Sequence, residues 1–453
     1  MTPVWLVLPD PFSSRLFFDT GIVGKLHDRL GDRLELFLLD AGEAATAWRQ
    51  RAGQIPVSTP ADLSDDSPAL PRKVFRRIDR SLDRNIGFYP LSLRLSLRHG
   101  FNRERMQPGH PNWFLDPDRA GPLPQWRFLD PALMRWHYGR LRHVPPALDE
   151  RLRRACPAIL LGNIQMHAVV PFIVGGRRLG LPLIGHVASW DHTVGKGIVS
   201  PHLRRYIVQN EVMREDLVRF HGIERERIVV TGWPQTDVFH RQRPRAEYDE
   251  LLRELGLDPA RPVVLVMGNT PTNAPFECQF VERLVSWWEA SGARERFSLL
   301  FRPHPRDREW RDRFAPALSR SGIAVQEASF TDFDRLATLL QHGDVVVSNA
   351  GTILLDALVN DRPAVCVLYD EGAPPGESWA LKNVSGDHYR GLMDSAAFYR
   401  AENFEAVVDG IERALANPAE LAAERARVAR EVVGEVDGRA AERVVDALVS
   451  GVD

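Results

Sequence analysis

The chain has 453 residues, of which 44% are hydrophobic and 26% charged. That length suits two domains rather than one core, and those proportions exclude a disordered chain. A net charge of −2 removes any global electrostatic case for nucleic acid as a partner. Three widely spaced cysteines, Cys156, Cys278 and Cys366, match no metal or redox spacing and read as buried thiols of a reducing cytoplasm.

The N-terminal MTPVWLVLPDP lacks a basic leader region and reads as a first strand, not a signal peptide. No window approaches the roughly 20 apolar residues of a spanning helix. The expectation is therefore a cytoplasmic protein, with a peripheral place on the inner face of the membrane left open. VWLVLP (4–9) and LELFLLD (34–40) flank a helix expected from about 18 to 30, which carries Asp19. Between 41 and 157 the alternation of strands and helices lapses into a segment rich in Pro, Arg and aromatic residues. Within PRKVFRRIDRSLDR (71–84), Arg72, Arg76, Arg80 and Arg84 recur every four residues, and Val74, Ile78 and Leu82 do so on another face. That is an amphipathic helix. Residues 72–105 hold ten Arg or Lys against three acids, suited to anionic lipid or an anionic acceptor, or equally to a solvated lid helix.

AILLGN (158–163), PLIGHVAS (182–189), RRYIVQN (204–210) and RIVVTG (227–232) resume the strands. Beyond one of them lies GHVASWDHTVGKG (185–197), which crowds Trp190, Asp191, His192, Thr193 and Lys196 into a short loop. A carboxylate beside an imidazole is a candidate general base; the alternative is that Asp191 caps a helix at His192. A charged linker (238–261) precedes a second series: PVVLVMGN, FSLLFRP, IAVQEA, DVVVSNAG and PAVCVLYD. Helices rich in Ala, Arg, Glu and Val close the chain over 403–450.

Three loops of the second series point to an anionic ligand. In GNTPTN (268–273), Gly268 allows close approach to the backbone, while Asn269, Thr270 and Thr272 offer donors beside a helix expected near Pro275. In LLFRPHPRD (299–307), prolines stiffen the exit of a buried strand around Arg302 and His304, a cation and an imidazole suited to phosphate. In DVVVSNAGTILLDAL (344–358), Ser348, Asn349 and Gly351 lead into a helix opening at Thr352. Its free N–H groups form a ready anion site, with Asp356 one turn further on. DPD (116–118) lies in a proline-rich loop and DFD (332–334) reads as a helix cap, so neither suggests a metal pair.

Together, the two series, the restart at 262 and the RPHP and SNAGT loops resemble the two-domain glycosyltransferase architecture GT-B. The resemblance implies an α/β protein of two Rossmann-like doubly wound domains facing across a cleft, with a helical insert in the first. The boundaries expected are 1–240 (insert 41–157), 241–430, and a C-terminal helix over 431–453. VTGWPQTD (230–237) is similar to the segment before the interdomain linker in such enzymes and in UDP-N-acetylglucosamine 2-epimerases. Two loops look closest to the CDP-glycerol glycerophosphotransferases. Their W-H-G-T-x-x-K motif falls on Trp190, Asp191, His192, Thr193 and Lys196, and their R-x-H-P on Arg302, His304 and Pro305. A His-Pro pair also occurs in sialyl- and Kdo-type transferases, which use CMP-sugars. The resemblance puts the base role on Asp191, an acid in place of the family's histidine. It places Trp190, His192, Lys196 and Asp19 on the acceptor side. On the donor side it places Gly268, Asn269, Thr270, Arg302, His304, Ser348, Asn349, Gly351, Thr352 and Asp356. The S-x-x-G-T form of the SNAGT loop is nearer that of sugar-nucleotide enzymes than the family's D-Y-S-S. The reading is thus a metal-independent, inverting glycosyltransferase. It would move a sugar from a nucleotide donor to a saccharide or lipid-linked acceptor of the cell envelope, without a cofactor. A glycerophosphotransferase is the alternative, and a 2-epimerase a more distant one.

Overall fold

The computed structural model describes residues 2–40, 43–63, 132, 144–195, 199–319, 322–349, 351–384 and 387–452. The chain divides into two compact units, Met1–Asp237 with Gly434–Asp453, and Val238–Val433.

In the first unit, short apolar runs form a parallel sheet. Its strands are β1 (Val4–Leu8), β2 (Leu34–Leu38), β3 (Val57–Ser58), β4 (Ala158–Leu161), β5 (Leu183–His186), β6 (Arg205–Val208) and β7 (Ile228–Val230). They lie in the order β3-β2-β1-β4-β5-β6-β7. Helices cover both faces, which is why VWLVL and AILL are apolar throughout rather than alternating. On one face Leu6, Leu36 and Ile184 meet Phe17 of α1 (Pro11–Asp19), Leu26 of α2 (Ile22–Leu30) and Val444 and Leu448 of the terminal helix Ala440–Val449. On the other, Trp5, Val7 and Phe37 meet Leu152 of α4 (Pro146–Ala155), Phe172 of α5 (Val170–Leu179) and Leu217 of α6 (Glu211–His221).

Where one helix was expected from about 18 to 30 there are two, parted at Gly21, whose φ of +76° ends the first. The stretch after 41, expected to be irregular or helical, also contains a strand. Helix α3 (Glu43–Ala52) buries Trp48 and Ala52, and β3 pairs with β2. A two-residue strand is too short to leave an alternation in the sequence. The amphipathic 71–84 pattern and the basic run 72–105 lie outside the described residues.

The terminal helix closes the first unit's core. Asp237 is buried, and its carboxylate accepts from the N–H groups of Ala440 (3.0 Å) and Ala441 (2.7 Å). It thus caps a helix two hundred residues away in sequence. Arg443 Nε donates to the Thr231 carbonyl at 2.6 Å. Burial is the main influence raising the Asp237 pKa, and the two N–H donors oppose it.

The second unit repeats the plan with β8 (Val263–Met267), β9 (Ser298–Arg302), β10 (Ala324–Val325), β11 (Val345–Ser348), β12 (Ala364–Val367) and β13 (Tyr399–Ala401). Their order is β10-β9-β8-β11-β12-β13, again parallel. Helices α7 (Arg245–Glu254), α8 (Glu277–Ala290), α9 (Phe333–His342), α10 (Thr352–Val359) and α11 (Phe404–Ala416) flank the strands. The order reverses between β1 and β4 in one unit and between β8 and β11 in the other. Doubly wound sheets bind ligands at the carboxyl edge beside such reversals.

Candidate functional site

Three sequence-flagged loops leave the carboxyl edge of the second sheet together, after β8, β9 and β11. Gly268 N donates to the Arg302 carbonyl at 2.9 Å, and a Cβ at Gly268 would stand 3.2 Å from Pro303 Cα. A side chain at this position would thus meet the backbone of the RPHP loop. Arg302 is buried at the end of β9, with Nη1 3.7 Å from Asp332 Oδ2. Asp332 precedes α9 but makes no side-chain cap; it accepts from Gln326 Nε2 at 2.8 Å and faces Arg302. Burial raises its pKa, and Arg302 is the strongest opposing influence. His304 Nδ1 accepts from the Arg306 N–H at 3.1 Å, which leaves the proton on Nε2 and makes that nitrogen a donor.

Gly351 (φ +135°) leads into α10, and no side chain caps that helix. Its first N–H groups therefore face the loop with no capping side chain, as an anion site requires. Ser348 Oγ donates to the Met267 carbonyl (3.0 Å), holding β11 to β8. Asn349 is buried, and its Nδ2 donates to the Val367 carbonyl (2.6 Å) while Oδ1 accepts from Asn383 Nδ2 (2.7 Å). Its side chain shapes the loop. Asp356 is buried at the start of the second turn of α10.

The loop after β8 is arranged differently from a phosphate cradle. The Asn269 N–H donates to both carboxylate oxygens of Glu277 (3.0 and 2.8 Å), the first residue of α8. Burial pushes the Glu277 carboxyl up to about 7, against that N–H, which pulls it down. Asn269 Oδ1 accepts from Thr270 N (2.9 Å), and the Thr270 and Thr272 hydroxyls bond each other at 3.0 Å. Phe276, Glu277, Phe280, Ser348 and Tyr369 line a small cavity beneath. Glu277 and Asn383 escaped the sequence reading because each meets the site from a helix with no motif around it, whereas Asp332 was read only as the cap of the helix it precedes.

At the carboxyl edge of the first sheet the corresponding helix terminus is filled by the chain itself. Asp10 accepts from the N–H groups of Phe12 and Ser13 (both 3.0 Å), and Asn163 Nδ2 donates to it at 3.1 Å. Nearby, Ser189 Oγ donates to Asp191 Oδ1 at 2.5 Å, and His192 Nε2 lies 4.0 Å from the same oxygen. The loop is braced from behind. Gln165 Nε2 donates to the His192 carbonyl (2.8 Å), Thr193 Oγ1 to Asp216 (2.6 Å), and His221 Nε2 to the Thr193 carbonyl (2.7 Å). Trp190 is buried in it, and Lys196 lies outside the described residues. Asp19 is not brought to this loop. It ends α1, roughly 12 Å along the helix from the edge, and pairs with Arg51 at 2.6 Å. The fully buried His186 is pushed down to about 4 by desolvation; its Nδ1 lies 3.3 Å from the Gly162 carbonyl.

A family model described as "CDP-Glycerol:Poly(glycerophosphate) glycerophosphotransferase" matches residues 198–450, more than half of the chain. The chain belongs to that family. The match takes in the RPHP and SNAGT loops and begins just after the Trp190–Lys196 motif. A curated relative, the teichoic acid poly(ribitol-phosphate) polymerase of Bacillus spizizenii, is 23% identical over 301 residues. That covers 62% of this chain and 42% of the relative's length. Among solved structures, a glycosyltransferase from Rickettsia africae superposes with a TM-score of 0.51 at 11% identity, over 99% of this chain and 98% of that one. The UDP-GlcNAc 2-epimerase of Neisseria meningitidis, bound to UDP-GlcNAc, gives 0.56 at 10% identity, over 99% and 100%. At such identities the likeness shows the fold, which is the GT-B type with two Rossmann-like units. Among the described residues no helix is long and apolar enough to cross a membrane.

Proposed function

We propose that this chain is a nucleotide-dependent transferase of cell-envelope polymer assembly, moving an alditol phosphate from a cytidine-diphosphate-linked donor to a hydroxyl of the growing polymer. The observation that carries the reading is that buried Arg302, the His304 Nε2–H donor and the uncapped N-terminus of α10 follow the carboxyl ends of β9 and β11, the two strands that flank β8. Family membership supports the donor class. The acceptor oxygen forms a bond to the donor's alditol-bearing phosphorus as the phosphoanhydride P–O bond breaks and CMP leaves. Asp191, oriented by Ser189, takes the hydroxyl proton. Arg302 and the Gly351–Thr352 N–H groups offset the charge gathering on the departing phosphate, a role that elsewhere falls to a metal ion. We therefore expect turnover to be insensitive to EDTA.

A second reading, sugar transfer with inversion at the anomeric carbon, is favoured by the Asn349–Thr352 loop, whose form differs from the family's serine pair. The two differ in what leaves. CDP-glycerol, CDP-ribitol and nucleotide diphosphate sugars, each supplied singly with isolated envelope acceptor, are followed by chromatography of the released nucleotide. CMP from a CDP-alditol supports the first reading, and a nucleoside diphosphate from a sugar donor supports the second. Release from none of them overturns both.

A further inference from the structure

The loop 268–276 and the loop entering α10 leave different strands, yet one side chain holds both. Asn383, the last residue of the short helix Trp379–Asn383, donates through Nδ2 to the Asn273 carbonyl and to Asn349 Oδ1, each at 2.7 Å. Its partners fix its orientation. The Asn273 oxygen is a backbone carbonyl, and Asn349 turns Oδ1 toward Asn383 because its own Nδ2 donates to the Val367 carbonyl. Both partners accept, so only an NH2 group satisfies them. The short helix is itself anchored by Asp370, whose Oδ2 accepts from Ala380 N at 3.0 Å. A connection bent at Gly372 (φ +72°) and Gly376 (φ +87°) leads into it. Arg313 braces the third loop: it pairs with buried Asp307 and donates to the Ala274 carbonyl at 3.2 Å.

We propose that Asn383 is a positioning residue of the donor site. It fixes the spacing between the 268–276 loop and the N-terminus of α10, and so the aim of the N–H groups that receive the donor phosphate. The functional part of this inference rests on the proposed donor site; the tether itself does not.

Asn383→Ala and Asn383→Asp are compared with the parent protein by two measurements. Amide hydrogen exchange reports on 268–276 and 351–354 in the free protein, and calorimetry gives the Kd for CDP. Loss of two hydrogen bonds is expected to speed exchange in both loops about tenfold and weaken CDP about tenfold. The thermal midpoint should stay close to the parent's. Asn383→Asp is nearly isosteric but turns a carboxylate on two acceptors, so it should exceed Asn383→Ala on both measurements. Unchanged exchange in either loop, or Asn383→Asp no worse than Asn383→Ala, overturns the tether. Faster exchange with unaltered CDP affinity overturns the positioning role. A parent protein that binds neither CDP, UDP nor pyrophosphate overturns the donor-site reading and the positioning role with it, while exchange still judges the tether.

Discussion

Replacing Arg302 by methionine separates a phosphate-binding cation from a structural one. The side chain is 7% exposed at the end of β9, and its carboxylate neighbour Asp332, 22% exposed, stands 3.7 Å away. Asp332 both attracts the guanidinium and hydrogen-bonds with it, so a donor phosphate would compete with that carboxylate for the same cation. A hydrogen bond to a charged group contributes about 1.5–3 kcal/mol, so Arg302→Met should weaken CDP binding by roughly 10- to 150-fold. Asp332 then loses the strongest influence holding its pKa down and takes up a proton more readily. That limits the damage to the fold. Asp332→Asn removes the competing carboxylate and leaves the cation, so CDP binding should hold or tighten. Calorimetric titration of both variants, with thermal midpoints, decides the matter. If Asp332→Asn weakens CDP as much as Arg302→Met, the pair acts as a structural unit and the phosphate assignment fails.

Asp191→Ala should lower turnover at least about 100-fold, the scale of a general base, while leaving the Kd for CDP unchanged; comparable loss of binding removes it from the proton-transfer step. His186 is neutral in the fold, with its pKa near 4 against 6.5 in the unfolded chain. Its contribution is complete above 6.5 and drains away as pH falls toward 4, by about 3 kcal/mol over that window. His186→Gln should flatten the pH dependence of the thermal midpoint there, and an unchanged slope refutes this. Glu277 runs the other way. With its pKa raised to about 7, the fold pays a growing penalty as pH rises from 4.5 to 7. Glu277→Gln should therefore raise the midpoint at pH 8 and barely alter it at pH 4; equal shifts at both count against it. Asp237→Ala removes the cap of the terminal helix and should cost about 0.5–2 kcal/mol or more, read as a lower midpoint, with Asp237→Asn milder.

The loops after β9 and β11 were legible because proline and glycine interrupt otherwise regular apolar runs at Arg302–His304 and Ser348–Gly351. Their neighbours were not. Asp332 sits where a helix cap belongs, and only the path of β10 and the turn after it brings its carboxylate to Arg302. At Gly268 the sequence indicates a close approach to the backbone but not that the exit of β9 is one of the neighbours. Asp19 was misplaced for a geometric reason: it shares α1 with residues near the edge, but the helix carries it away toward Arg51. Asn383 stands in a segment with no periodicity, and its importance arises from two partners 34 and 110 positions earlier in the chain.

The return of the terminal helix to the first sheet sets an order of events during synthesis. The first unit lacks Val444, Leu448 and the partners of Asp237 until the ribosome has delivered all of Val238–Val433. The second unit is contiguous and is synthesised in full while the first still lacks the terminal helix that packs beside α1 and α2. A nascent chain stalled anywhere in the second unit thus lacks the apolar side chains Val444 and Leu448, and the two segments of the first unit must find each other across the whole length of the second.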